Sequence, residues 1–131
     1  MKVVGLYNWH DGGYCVLDDG KVVEHIEIER YTRLKESGGD SLLYLEEKYL
    51  SKNNLDMEDI DHWVSPLPNT NLEANGGETY NTHDRLSKDK INFYGHHLCH
   101  AAHAFYSSPY ENSLILTIDS AGINEEGNSI S

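Results

Sequence analysis

The stretch INFYGHHLCHAAHAFYSSPYENSLILTIDS, residues 91–120, holds four of the chain's eight histidines within eight positions and ends in an apolar run followed by an aspartate. Its pattern predicts a strand over INFYG, a helix from His96 or His97 to about Tyr106, and a strand over SLILTID. A strand, a helix and a strand in this order are typical of α/β proteins. The sequence therefore predicts an α/β fold.

The first thirty residues predict three strands. KVVGLYN is short and apolar, and Asp19-Gly20 separates two apolar pairs, which is a strong hairpin signal. In the third strand the alternate residues from Val22 to Ile28 share one parity, which predicts one mostly buried face. We expect a mixed sheet that opens with an antiparallel three-stranded unit.

A helix is expected after the break at SGGD. Asp40 or Ser41 can cap SLLYLEEKYL, in which Leu42, Leu45 and Tyr49 lie on one face. This pattern predicts an amphipathic helix that packs on the sheet.

The next segments predict one helical turn in LDMEDI, then a strand around His62 to Val64 that stops at Ser65-Pro66. Residues 67–90 hold few apolar side chains, and so long a polar stretch is typical of a functional or disordered loop. We expect a polar excursion over the surface there.

The composition limits the classes of molecule that the chain can bind. A chain of 131 residues fits one domain, and its net charge of −12 repels nucleic acid and anionic lipid. No run approaches the ~20 apolar residues of a membrane helix, and the N-terminus lacks the apolar core of a signal peptide. With only Cys15 and Cys99 as thiols, we expect a soluble cytoplasmic protein.

The histidine cluster is a candidate metal site. On a helix His96 and His100 project from one face, and Asp119 ends the following strand. His103 could join this face, whereas His97 points elsewhere, to cap the turn or meet solvent. Two imidazoles and a carboxylate suit iron(II), manganese or zinc. The alternative is a polar seam that binds nothing, since two ligands are not a site.

A second candidate is NWHDGG, where His10 and Asp11 precede Gly12-Gly13. The glycine N–H groups could cradle an anion and His10 could transfer a proton; a plain tight turn is equally compatible.

A third candidate is ERYTRLK. Its basic residues Arg30, Arg33 and Lys35 could grip phosphate, or could simply offset neighbouring glutamates.

Two blocks in this order resemble the NodU/CmcH-type O-carbamoyltransferases. VVGLYNWHDGGYCVLDDGKVVEHIEIERYTRLK is similar to the opening of that family, and HHLCHAAHAFYSSPYENSLILTIDSAG is similar to its histidine block and the strand that follows. The resemblance covers roughly residues 3–35 and 91–131. It implies that residues 1–131 are the N-terminal part of an actin-like (ribonuclease H-like) domain, which would be incomplete.

In that family a carbamoyl group from carbamoyl phosphate and ATP passes, through carbamoyladenylate, to a substrate hydroxyl at a metal. The resemblance implies His96, His100 and Asp119 as ligands, with iron(II) first and manganese or zinc as alternatives; a fourth, an aspartate, lies in chain absent here. His10 with Asp11 is the candidate catalytic base.

The turns at Gly12-Gly13 and Ala121-Gly122 are candidates to lie along phosphates or the carbamoyl group. Arg33, Lys35 and Gly122 are the candidate cofactor-binding residues. Ser120 departs from the family, because it replaces the first glycine of its Asp-Gly-x-Gly turn.

The chain is short for that family, which predicts a fragment that is inactive alone. The alternatives are a stand-alone module that binds metal or a small ligand, or an assembly piece. An assembly piece would associate with itself or with a separate second half.

Overall fold

The computed structural model describes residues 1–66, 85–119, 122–123 and 129–130. They divide into two compact units. The first contains the described residues up to Ser65 and those from Arg85 to Asn92, and the second contains Pro66 and the described residues from Phe93 onward.

The strands of the first sheet are β1 (Lys2–Tyr7), β2 (Gly13–Asp18), β3 (Lys21–Glu27), β4 (His62–Pro66) and β5 (Ile91–Tyr94). Their order is β3-β2-β1-β4-β5. β2 pairs antiparallel with both β1 and β3, whereas β4 runs parallel to β1. The predicted mixed sheet with an antiparallel three-stranded opening is confirmed.

The hairpin between β2 and β3 turns at Asp19 and Gly20, as predicted. Both residues have positive φ, at 48° and 76°. Two consecutive positive φ angles are the signature of a type I′ turn, whose twist matches that of the flanking strands.

The helices are α1 (Glu29–Thr32), α2 (Ser41–Leu45), α3 (Ser51–Asn53) and α4 (His96–Tyr106). A π-helical segment, Glu46–Leu50, connects α2 to α3, and a 3-10 turn spans Met57–Asp59. The predicted cap is confirmed, because the Asp40 side chain accepts hydrogen bonds from the N–H groups of Leu42 and Leu43. None of the described helices has the length and apolar character needed to cross a bilayer.

The core of the first unit lies on one face of the sheet. The predicted face of α2 and the π-helical segment is buried there together with inward residues of β1, β2 and β4, and the cluster comprises Val4, Leu6, Tyr14, Val16, Leu42, Leu45, Tyr49, Leu50, Ile60, Trp63 and Leu86. Apolar side chains at period 2 in the strands and at helical spacing in α2 meet in this layer.

Two predicted strand features are wrong. Val22 is 63% exposed, since the register of β2 and β3 shifts between Val16 and Leu17 and moves Val22 off the buried face. Residues 113–119, the predicted strand SLILTID, form no regular secondary structure and lie outside any described sheet. A strand requires a hydrogen-bonded neighbour, and the described part of the chain supplies none.

Most of the polar excursion predicted at 67–90 lies outside the described residues. Its end is described from Arg85, whose guanidinium contacts Glu46 at 2.6 Å and Asp40 at 3.7 Å. In the second unit, β6 (Gly122–Ile123) and β7 (Ser129–Ile130) form an antiparallel pair, and the backbone of β6 approaches α4.

Candidate metal centre

The first turns of α4 present two imidazoles on one face. The helix begins directly after the buried Gly95, and His96 and His100 are one turn apart. Their ring centroids lie 4.6 Å apart, and the ring planes are nearly perpendicular at 84°. The edges of both rings, with Nε2, therefore point toward a common position.

Asp119 completes the cluster with a carboxylate. Its Oδ2 atom lies 2.7 Å from Nε2 of His96 and 3.2 Å from Nε2 of His100, and the two Nε2 atoms are 3.0 Å apart. Asp119 lies 23 residues after His96 and 19 residues after His100 in the sequence, so the fold brings these atoms together. Among the residues that the structure describes, this is the set of His, Cys, Asp and Glu side chains that could hold a metal ion.

Three electron-rich atoms that converge in this way need either a hydrogen bond from a ring N–H or a cation between them. If both Nε2 atoms are unprotonated, their lone pairs face each other and the carboxylate, which is a repulsive arrangement. A divalent cation or a ring proton removes the repulsion. The proton alternative corresponds to the polar seam considered from sequence.

The donor separations fit a metal ion. Ligands at about 2.1 Å from one ion are about 3.0 Å apart when they subtend 90°, and about 3.4 Å apart in a tetrahedral site. The observed separations of 2.7, 3.0 and 3.2 Å are nearer to the 90° arrangement. Two histidines and one carboxylate on one face of a six-coordinate ion are typical of iron(II) sites with open positions.

The remaining histidines of α4 lie outside the cluster. His103 is exposed and does not join it. His97 is partly exposed, but its Nε2 is buried and has no hydrogen-bond partner in the described part of the chain. Its ring packs edge-on against that of His96, with centroids 5.5 Å apart. Burial raises the pKa of the Cys99 thiol, which disfavours the thiolate form that binds metals.

In the first unit, the turn after β1 pairs the two predicted catalytic side chains. Nδ1 of His10 lies 2.9 Å from Oδ2 of Asp11, and both side chains are about half exposed. Trp9 packs against the imidazole with ring centroids 4.5 Å apart. When Nδ1 carries the proton and donates to Asp11, the Nε2 atom of His10 is left as an acceptor.

The two glycines of that turn are required by close packing. A Cβ on Gly13 would lie 2.6 Å from the carbonyl oxygen of Ile26, which is too close for any other residue. The N–H of Gly12 donates to the Ser37 carbonyl at 3.2 Å. The Gly12 N–H is therefore already engaged inside the protein, as in the plain tight turn that the sequence left open beside an anion cradle.

The loop around Ser37, whose carbonyl accepts the Gly12 N–H, was not predicted from the sequence to pack against this turn. Gly39 N–H donates to the Asn8 carbonyl at 3.1 Å, and a Cβ on Gly38 would collide with the Trp9 carbonyl. Adjacent glycines at 38 and 39 were the available signal, since paired glycines permit two backbones to approach closely.

The basic residues after β3 lie on an exposed surface. Arg30 contacts Glu27 at 3.0 Å and Glu29 at 3.6 Å, and Lys35 lies 3.8 Å from Glu36. These contacts are the charge-offsetting arrangement considered as an alternative.

Arg33 has a left-handed backbone with φ 61°, and its N–H donates to the Glu29 carbonyl and so closes α1. Its side chain is exposed and makes no ion pair with another described residue. Gly122 lies in β6 opposite Ile130, in the same unit as the histidine cluster.

The fold and this cluster define an α/β protein with a candidate two-histidine, one-carboxylate metal centre. The chain is similar to the nodulation protein NolNO of Sinorhizobium fredii (strain NBRC 101917 / NGR234), at 31% identity over 139 aligned residues that cover 86% of this chain and 20% of that protein. It thus spans about a fifth of the length of this curated relative. No protein-family model matches the sequence.

Proposed function

We propose that this chain is the N-terminal part of an O-carbamoyltransferase, with an actin-like first domain and a divalent metal at His96, His100 and Asp119. The observation that carries the proposal is the convergence of these three donor atoms within 3.2 Å in a block that resembles the carbamoyltransferases. The similarity to NolNO over 86% of this chain supports it at the level of the family.

His96, His100 and Asp119 would hold the ion, with iron(II) as the first choice and manganese or zinc as alternatives. A metal bound by three protein ligands keeps open positions, so it can bind phosphate oxygens and polarise a carbonyl. Asp119 is part of the site in this proposal because its carboxylate offsets part of the positive charge of the ion.

The proposed role of the His10 and Asp11 pair is to take the proton of the acceptor hydroxyl. Asp11 would hold the imidazole with Nδ1 protonated, so that Nε2 of His10 accepts the proton as the hydroxyl oxygen bonds to the carbamoyl carbon. The bond from that carbon to the phosphate oxygen of carbamoyladenylate breaks, and AMP leaves.

Arg33, Lys35 and Gly122 are proposed to contact phosphate groups of ATP or carbamoyl phosphate. The exposed Arg33 guanidinium suits this role because no described carboxylate pairs with it. The part of the reaction that makes carbamoyladenylate is assigned to polypeptide beyond this chain, which spans a fifth of NolNO. Turnover is therefore expected only with that polypeptide, in a reducing cytoplasm.

The test of the metal centre is the metal content of the anaerobically purified chain, measured by elemental analysis. We expect close to one iron, manganese or zinc per chain in the unsubstituted protein and in His103→Ala, the matched control on the same helix. His96→Ala and Asp119→Ala should lose the ion. Retention of metal in both variants would contradict the ligand assignment.

A second experiment tests the carbamoyl chemistry. With the chain loaded with Mn²⁺ and free Mn²⁺ removed, the ³¹P resonance of added carbamoyl phosphate should broaden, since open metal positions bind phosphate oxygens. Asp119→Ala treated in the same way should leave the resonance sharp. A metal-loaded chain that does not broaden the signal would favour a closed metal-binding module over a transferase.

A further inference from the structure

The Nε2 atom of His97 is an exception to the usual pairing of buried polar atoms. Within the described ranges it is the buried side-chain nitrogen or oxygen that lacks a hydrogen-bond partner. Burying such an atom without a hydrogen bond costs free energy of folding, so most buried side-chain polar atoms are paired. The His97 ring is therefore held in place by packing and not by a hydrogen bond through this atom.

The ring of His97 contacts one of the candidate metal ligands. Its centroid lies 5.5 Å from that of His96, and the two ring planes meet at 73°, which is the edge-to-face geometry that aromatic rings prefer. Side chains of consecutive helix residues diverge by about 100° around the axis and do not ordinarily face each other. Contact between these two neighbours thus requires both rings to turn toward one another.

This contact restrains the more enclosed of the two ligand imidazoles. The side chain of His96 is 24% exposed, against 54% for His100. His96 contacts both of the other rings, since its centroid also lies 4.6 Å from that of His100. Neighbouring groups that fix the orientation of a ligand ring strengthen metal binding, because the lone pair is then already aimed at the ion.

We propose that His97 is a positioning residue of the metal centre, whose ring holds His96 in the orientation that aims Nε2 of His96 at the ion. This inference rests on the proposed metal at His96, His100 and Asp119. The ring carries the role and the nitrogen does not, because Nε2 of His97 makes no hydrogen bond to a ligand or to any other described residue.

Two substitutions separate the ring from the nitrogen. His97→Phe keeps a flat ring beside His96 and removes the unpaired nitrogen, whereas His97→Gln removes the ring and keeps a polar group close to the position of Nε2. His97→Phe should therefore bind metal as tightly as the unsubstituted chain. His97→Gln and His97→Ala should bind it about 10–100-fold more weakly, which is the usual loss when the support of a metal ligand is removed.

The dissociation constant for Mn²⁺ measures this effect on the whole chain. The electron paramagnetic resonance signal of free Mn²⁺, followed during a titration, gives the constant for each variant. His103→Ala is the matched control, because it removes an exposed imidazole of the same helix that lies outside the cluster. Its affinity for Mn²⁺ should equal that of the unsubstituted chain.

A spectroscopic readout distinguishes positioning from a general loss of stability. The visible absorption bands of bound Co²⁺ depend on the coordination geometry. At saturating Co²⁺ the bands of His97→Gln should differ from those of the unsubstituted chain, and the bands of His97→Phe should match them. Without metal, His97→Phe should melt at or above the temperature of the unsubstituted chain, because it no longer buries an unpaired nitrogen.

The outcomes distinguish this inference from the metal centre on which it rests. If the unsubstituted chain binds neither Mn²⁺ nor Co²⁺, the metal centre and the role of His97 are both overturned. If it binds metal, and His97→Gln and His97→Ala bind equally well with unchanged Co²⁺ bands, the metal centre stands and the role of His97 is overturned. The role of the ring is also overturned if His97→Phe binds as weakly as His97→Ala.

Discussion

His96 and His100 direct their Nε2 atoms at each other at 3.0 Å across one turn of α4, with Oδ2 of Asp119 at 2.7 and 3.2 Å from them. Imidazole nitrogens this close are stable only with a cation or a proton between them. Because we propose that a divalent ion lies between them, we expect the free energy of unfolding of the chain to depend on metal.

A divalent ion should raise the melting temperature of the chain. An ion that binds only the folded state adds about 2.7 kcal/mol when its free concentration is a hundred times the dissociation constant. We expect thermal denaturation to show the rise with Mn²⁺ or Zn²⁺, its reversal by a chelator, and its loss in His100→Ala. An equal rise in His100→Ala would show that the ion binds elsewhere.

Neighbouring leucines in α2 should differ sharply in their contribution to stability. Leu42 is fully buried in the core, whereas Leu43 is 46% exposed. Leu42→Ala should lower the free energy of unfolding by about 2–5 kcal/mol, because it leaves a cavity. Leu43→Ala is the control and should change it by less than about 1 kcal/mol. Urea denaturation measures both, and equal losses would contradict the burial pattern.

Alanine substitutions at two glycines of the sheet should have opposite effects on the free energy of unfolding. Gly13→Ala forces a Cβ to 2.6 Å from the Ile26 carbonyl oxygen and should destabilise by about 1–3 kcal/mol. Gly5→Ala meets nothing within 4 Å and should stabilise by about 0.4–1 kcal/mol, because it restricts the unfolded chain. Denaturant midpoints of the two variants give the comparison; a stable Gly13→Ala protein would mean that β2 and β3 pair differently.

The ion pair of the N-terminal ammonium group with Asp19 predicts a pH dependence. The hydrogen bond between them lowers the pKa of Asp19 from its ordinary 3.8 and raises the pKa of the ammonium group from 8.0. The Asp19 contribution is present above pH 3.8 and is lost as the pH falls through the lowered pKa. The ammonium contribution is present below pH 8.0 and is lost as the pH rises through the raised pKa.

Asp19→Asn should therefore melt below the unsubstituted chain mainly between about pH 4 and 8, with the difference fading outside that range. Asparagine also accepts the positive φ at this position, so the turn is retained. A difference that stays constant with pH would assign the effect to the turn and not to the ion pair.

Local features of the fold followed from the sequence. Asp19-Gly20 predicted the type I′ hairpin because few residue pairs adopt two positive φ angles, and Asp40 predicted the start of α2 because its carboxylate accepts backbone N–H groups. The spacing of His96 and His100 likewise placed both rings on one helix face. These signals act over a few residues, so periodicity and backbone preference are sufficient.

By itself, then, the sequence determined the α/β elements, the hairpin and the shared face of His96 and His100. Only the tertiary structure decided that Val22 is exposed by a register shift, that Gly12 donates to the Ser37 loop, and that residues 113–118 form no ladder with another strand among the described residues. The physical reason is that pairing between strands and loops joins residues distant in sequence, whereas propensity reports only on neighbours.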